Sequence, residues 1–438
     1  MRSLTDCFAM SILWQKIEKE RIMELKISNV GKIDSANIEI KGITIIAGLN
    51  GTGKSTVSRS LFAMFHSFSN MSRKINLEKM YAIDNLFSKP GSIFWRSKLK
   101  WGQRRELATL LVGNIDENSI REILQDCLGK DEYISNEIDD IMKINLTPNS
   151  LLINEIVSEI FSREFNDHIT NIRSSAGSEI VLKIKNFKMD IWFDNNNKIL
   201  VKDSGEELKQ QIVYIDDPFI IDSYNLVDIN TKILLHVAND EIITNHRDTL
   251  ISQYKSTKNL NLVDRANLKE KLSAVYQKIN DTLGSDMSLF ETDKDGISGS
   301  KRTRGLSLDS LSSGMKTFYL IKSLIDNGTI VQNGTLILDE PEVHLHPDWQ
   351  VTLAEIIVLL QKEMGLHILI NTHSPYFLRA IEVFSRKYDT EDTVKYYLSY
   401  NEGNNAKMKD VTYNISEIYR VLSDPLQRIE NEAYNDGD

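Results

Sequence analysis

Gly48-Leu49-Asn50-Gly51-Thr52-Gly53-Lys54-Ser55 sets a lysine and a hydroxyl behind three glycines, in the spacing G-x-x-x-x-G-K-[ST]. Residues of these types bind phosphate. The glycines let backbone N–H groups converge on a β-phosphate, and the positive end of a following helix adds to the attraction. Lys54 is expected to reach the β- and γ-phosphates, and the Ser55 hydroxyl to take Mg²⁺. Asn50, Thr52 and Thr56 line the rest of the loop. A second group, Leu336-Ile337-Leu338-Asp339-Glu340, places two adjacent acids at the end of an aliphatic run. Acids there are costly to bury unless a cation accompanies them. Asp339 can hold Mg²⁺ directly or through water, and Glu340 can orient or deprotonate an attacking water. Together these residues imply a chain that binds and hydrolyses ATP, with Mg²⁺ as its metal.

Such a site needs strands that end at the loop and at the acids, and the hydrophobic pattern supplies them. Met23, Leu25 and Ile27 alternate with Glu24 and Lys26, and Ile43 to Ala47 form a short apolar strand before the glycines. Behind the loop, Val57, Leu61, Met64, Phe65 and Phe68 keep helical spacing. Thr335–Leu338 is a continuous apolar run, as in a strand buried on both faces. A helix follows from Pro347 to near Gly365, with Trp349, Leu353, Ile356, Ile357 and Leu360 on one face, and then a strand from His367 to Thr372. The strand–helix–strand order predicts a parallel crossover. Residues 1–22 read as a leader outside the fold, with 23–68 as the N-terminal part of the nucleotide-binding domain. Residues 69–175 read as a polar, helical insertion and 176–235 as strands that rejoin the sheet near Val213–Ile215. A second insertion, a short helical pair, is expected over 236–300. The C-terminal part of the domain then covers 301–400, and 401–438 form a tail, frayed from Glu430 on.

At 438 residues, 41% hydrophobic and 26% charged, the composition is globular. The net charge of −10 excludes a surface basic all over, while leaving room for a basic patch. Two cysteines, Cys7 and Cys127, make no disulfide framework and suit a reducing compartment. No apolar run reaches the ~18 residues of a membrane span, so a cytoplasmic protein is expected.

Leu311-Ser312-Ser313-Gly314-Met315 opens a helical segment about 25 residues before Asp339. Taken alone, Ser-Ser-Gly there is ordinary capping chemistry. In this position it resembles the ABC signature L-S-G-G-Q, departing from it at Ser313 and Met315. With Leu25–Ile33 and the phrase Asp339-Glu340-Pro341-Glu342-Val343-His344-Leu345-His346-Pro347, the chain resembles the cytosolic ABC ATPases of the SMC, RecF and OLD kind. The likeness is strongest to their short anti-phage defence members, such as the Septu PtuA subunit and retron-associated ATPases. The resemblance implies an α/β fold: an ABC-type P-loop ATPase head, a mixed, largely parallel sheet with flanking helices, carrying a large, mostly helical insertion. It implies that Ser312, Ser313 and Gly314 of one copy meet the γ-phosphate held by the other, hence a homodimer, with higher oligomers open. It also implies that His373 contacts the γ-phosphate, and that a glutamine loop follows a strand between the two blocks. No glutamine ends Val213–Ile215, so Asp216 or Asp217 is the candidate substitute.

The resemblance implies a switch that controls a separate effector, a nuclease or toxin, in phage defence. The alternative is a RecF-like repair ATPase that clamps DNA. Only about 65 residues follow His373, too few for the metal-binding domain of OLD nucleases, and neither His168 nor the pair His236 and His246 has a nuclease-like setting. No nuclease centre is therefore expected, nor a metal at His344 and His346. Phe94–Arg105 interleaves aromatics with Arg96, Lys98, Lys100, Arg104 and Arg105, and 301–304 is a second basic loop. Either could meet nucleic acid. The plainer alternative, an amphipathic segment with a solvated basic face, is preferred.

Overall fold

The computed structural model describes residues 23–90, 99–128, 134–171, 173–174, 176–204, 208, 212–224, 244–256, 260–284 and 311–435. The expected leader, residues 91–98 of the aromatic–basic segment, His236 and the basic loop 301–304 lie outside them.

β1 (Met23–Val30) and β2 (Ile33–Ile40) pair antiparallel, and β3 (Ile43–Gly48) leads into the phosphate loop. All six residues of β3 are buried, as its unbroken apolar run demands. α1 (Lys54–Phe68) follows the loop, and the insertion comes next: α2 (Met71–Ser88), α3 (Trp101–Leu111), α4 (Glu117–Leu128), α5 (Ser135–Leu146) and α6 (Asn149–Phe165). The chain returns through β4 (Ser178–Ile184), β5 (Phe187–Phe193), β6 (Ile199–Asp203) and β7 (Ile212–Ile215). Three helices precede the signature: α7 (His246–Lys255), α8 (Leu262–Lys271) and α9 (Ser273–Leu283). The rest comprises α10 (Ser313–Asp326), β8 (Thr335–Asp339), α11 (Pro347–Met364), β9 (His367–Thr372), α12 (Pro375–Lys387), β10 (Val394–Glu402), β11 (Asn405–Asp410) and α13 (Ser416–Asn435).

The strands join in one mixed sheet of order β6-β5-β4-β1-β2-β11-β10-β3-β9-β8-β7. The run β10-β3-β9-β8-β7 is parallel throughout, and β6-β5-β4-β1-β2 is antiparallel. The α/β class expected from the sequence is the class found. Period 2 divides each central strand between two cores. Ile43, Ile45, Leu336, Leu338, Ile368 and Ile370 face a cluster built with α9, α10, α11 and α12. Ile46, Ile337 and Leu369 face the opposite cluster, with Val57, Leu61 and Phe65 of α1 and Ile160 and Phe161 of α6. The insertion adds a small core of its own, in which Met80, Ile83 and Phe87 of α2 pack with Leu107, Leu111, Leu124 and Ile138.

Two sequence expectations change. Residues 401–435 are not a tail. β11 pairs with β10 and β2 in the middle of the sheet, and α13 continues to Asn435 instead of fraying from Glu430. β11 escaped notice because Ala406 is its only fully buried residue, which leaves no alternation to read. Nor is the described part of 236–300 the short helical pair expected. The described part contains three helices, and Leu250 of α7 and Val275, Ile279 and Leu283 of α9 belong to the main core.

Candidate nucleotide-binding site

The phosphate loop is fixed by crowding from below. A Cβ on Gly48 would stand 2.2 Å from the carbonyl oxygen of Ser399 in β10, so the strand can end here only as glycine. Gly53 caps α1 at φ +84°, a conformation that glycine alone adopts without strain. The Ser399 hydroxyl bonds Thr52, and Lys32 Nζ donates to the Gly51 carbonyl at 2.7 Å. Lys54 is buried, and its Nζ donates to the carbonyls of Gly48 and Leu49 at 3.0 Å each. Burial pulls its ammonium below the usual lysine value, against the opposing fields of Glu340, Asp339 and Glu342. Such a cation, bonded to two carbonyls with Glu340 at 3.9 Å, is poised for an anion.

β8 and β9, adjacent and parallel, bring up the acids. Asp339 is buried with both oxygens engaged: Tyr214 OH of β7 donates to Oδ2 at 2.9 Å and Asn371 Nδ2 to Oδ1 at 2.7 Å. Asn371 Nδ2 also donates to Ser58 Oγ of α1 at 2.8 Å, which ties this carboxylate to the helix behind the phosphate loop. A single oriented carboxylate fits Mg²⁺, which takes one or two protein ligands and completes its shell with phosphates and water. Among the described residues no cluster of three or more His, Cys, Asp or Glu could hold a metal unaided. Glu340 follows at φ 49°, a left-handed backbone uncommon outside glycine and often kept where it aims a functional side chain. Its Oε1 lies 3.9 Å from Lys54 Nζ and 3.5 Å from His373 Nδ1. Lys54, Asp339, Glu340 and His373, four residues singled out in the sequence, thus meet at one rim.

His373 is held by a residue that the sequence reading passed over. Glu342, buried to 4% exposure, accepts from the Thr372 hydroxyl at 2.5 Å, from the His373 N–H at 3.0 Å and from the Ser374 N–H at 3.2 Å. Burial pushes its carboxyl above the usual value, while the Thr372 hydroxyl and the backbone N–H groups of Glu342 and His373 pull the other way. Glu342→Ala strands those donors in a dry site, at a cost of about 3–5 kcal/mol if all three were lost. The expected result is a thermal midpoint lower by roughly 3–5 °C, given the size dependence of such shifts, and slower ATP turnover as His373 drifts. A midpoint within ~2 °C of wild type would show that the clamp is not holding.

The signature behaves as a cap and as a packing point. Ser312 Oγ accepts from the Met315 N–H at 3.4 Å, and a Cβ on Gly314 would meet the Trp349 ring at 2.7 Å. Gly314→Ala must therefore displace Trp349, and should destabilise by about 1–3 kcal/mol in chemical denaturation. Unchanged stability would mean that the ring moves freely. Ser312 thus bonds within its own helix, and Gly314 lies against Leu345 and Trp349. Asp216 lines the same pocket as Asp339 and Glu340, where a glutamine-loop residue would stand, and both Arg247 and His246 contact it. His346 caps α11 by accepting from the Asp348 N–H, and His344 packs edge-on to Phe219. In the described part of the basic segment, Arg104 donates to Ser88, and Arg105 donates to Tyr81 and covers the Trp101 ring.

The loop, the acid pair and the sheet between them define an ATPase of the AAA/ABC type. Comparison with known proteins agrees: residues 235–379 match a family model described as "AAA domain, putative AbiEii toxin, Type IV TA system". That span holds Ser312–Gly314, Asp339, Glu340 and His373. The chain is related to a Vibrio cholerae serotype O1 biovar El Tor protein described as "Retron Vc95 probable ATPase", at 26% identity over 374 residues, 78% of this chain and 67% of that protein. Among solved structures, an Smc head bound to the C-terminal winged-helix domain of ScpA matches at TM-score 0.42 and 10% identity, over 90% of this chain and 99% of that one. The SMC head domain of Thermotoga maritima matches at TM-score 0.34 and 11% identity, over 89% and 99%.

Proposed function

We propose that this ATPase is a switch: two copies close around two ATP molecules, and the closed state controls a separate effector, a nuclease or toxin, in phage defence. The observation that carries the proposal is the division of the site. Lys54, Asp339, Glu340 and His373 gather at one rim, while Ser312 and Ser313 open a different helix, with Ser312 at its N-cap. A helix N-terminus of that kind suits an anion, and the anion a second copy can bring is a γ-phosphate. ATP then favours the closed pair by its differential affinity for it. The relationship to a retron ATPase supports an effector partner.

Within the site, the loop amides and Lys54 bind the phosphates, and Ser55 and Asp339 would hold Mg²⁺, which neutralises phosphate charge. Glu340 takes a proton from the attacking water and His373 stands beside the group being lost. Light scattering tests the switch. Wild type should double its mass with ATP, and Ser312→Arg, which obstructs the signature, should stay monomeric while still binding nucleotide. A wild-type protein that remains monomeric in ATP would sink the proposal. Co-purification from native cells then separates the readings. A stoichiometric nuclease or toxin supports the switch, and DNA alone supports the repair clamp.

A further inference from the structure

Behind Asp339 lies a buried ionic cluster that joins the insertion to the metal side of the site. His246, the first residue of α7, is buried, and carboxylates face both of its ring nitrogens. Nδ1 lies 2.7 Å from Glu164 Oε1, and Nε2 lies 3.2 Å from Asp216 Oδ2. The His246 backbone N–H donates to the other Glu164 oxygen at 2.9 Å. Glu164 belongs to the last turn of α6, the end of the insertion, and its side chain is wholly buried. The ring of His246 lies nearly flat on Tyr214, with centroids 4.3 Å apart and planes 24° apart, and edge-on to Phe62 of α1. Arg59 of α1 approaches Glu164 at 3.9 Å, and Arg247 pairs with Asp216 at 2.7 Å. Tyr214 is the residue whose hydroxyl donates to Asp339.

Paired with two carboxylates, the imidazole stays charged, its pKa pushed up to about 9 in spite of burial. An isolated buried ion would be costly, but this one is over-determined by partners from three elements. Its stacking fixes the plane of Tyr214, and the tyrosine hydroxyl fixes a carboxylate oxygen. Residues one step behind a metal ligand commonly set its affinity in this way.

We infer that His246 is a positioning residue that couples the insertion to the metal: held between Glu164 and Asp216, it orients Tyr214 and through it Asp339. A shift of α6, wherever it originates, then reaches Asp339 without crossing the nucleotide. The inference rests on the ATPase reading above, and the test keeps the two apart.

Titration calorimetry of ATP is run with excess Mg²⁺ and again with chelator, on wild type, His246→Gln, Tyr214→Phe, Glu164→Gln and the double variant His246→Gln/Tyr214→Phe. Wild type should bind ATP more tightly with Mg²⁺. In each single variant that gain should shrink about tenfold, while metal-free affinity stays within about twofold. The double variant should be no worse than the poorer single, because both act through one path. Full retention of the Mg²⁺ gain in His246→Gln would overturn the proposal, and so would losses that simply add in the double. If His246→Gln does not fold, Tyr214→Phe decides alone, since a normal gain without that hydroxyl excludes the path. A wild-type protein that binds no ATP, in contrast, removes the ATPase reading itself.

Discussion

Glu340→Gln should hydrolyse ATP about 10²–10⁴-fold more slowly than wild type, the usual share of a general base, and still bind it. The amide keeps the size of the carboxylate and makes the same demand on the left-handed backbone at φ 49°, so the geometry of the rim should persist. What goes is the acceptor for the water's proton, at a point 3.5 Å from His373 and 3.9 Å from Lys54. Bound ATP then has no exit by hydrolysis. The closed dimer should accumulate and elute with ATP in near-equal proportion to protein. Turnover within threefold of wild type would remove Glu340 from its assigned role.

Lys54→Met should fail in the opposite order, losing binding first. Methionine keeps most of the buried stem and removes the ammonium that reaches the carbonyls of Gly48 and Leu49. Loss of one cationic clamp on a transferring phosphoryl group is worth about 10²–10³ in kcat. The phosphates also lose a partner in the ground state, so a fluorescent ATP analogue should bind markedly less tightly. The fold should survive, because burial already disfavours this charge. Circular dichroism spectra matching wild type, with hydrolysis gone, is the expected pair of results. Hydrolysis within tenfold of wild type would show that Lys54 does not touch the phosphates.

The legible part of this protein is local. Gly48–Ser55, Asp339 and Glu340 are read from a handful of neighbouring residues, because a strand end, a glycine turn and a helix start each have a short pattern. His373 was readable through the resemblance to ABC ATPases, which assigns a histidine at the end of such a strand. The supports were not readable. Tyr214 meets Asp339 across 125 residues, His246 meets Glu164 across 82, and Ser399 meets Thr52 across 347. No spacing rule links such pairs, and each would pass for an ordinary core tyrosine, helix histidine or strand serine. Glu342 is a nearer miss. It stands two residues past Glu340, and an acid there, followed by a turn, was visible. What was not visible was that three donors from the end of β9 converge on it. Strand β11 and the break between α8 and α9 at Leu272 fall in the same class, since packing sets both and neither a glycine nor a proline marks the break.

The position of β10 and β11 also bears on when the molecule can first work. β2 and β3 follow each other in the chain, yet in the sheet β11 and β10 stand between them, paired to β2 and β3 respectively. The floor under Gly48 and Thr52 is Ser399, made some 345 residues after the loop it supports. A growing chain that has already produced its phosphate loop, both acids and His373 therefore still lacks the two strands that hold the loop in shape. Nucleotide binding should then wait for β10 and β11, and a chain stopped before Val394 should bind ATP far more weakly than one that carries both strands.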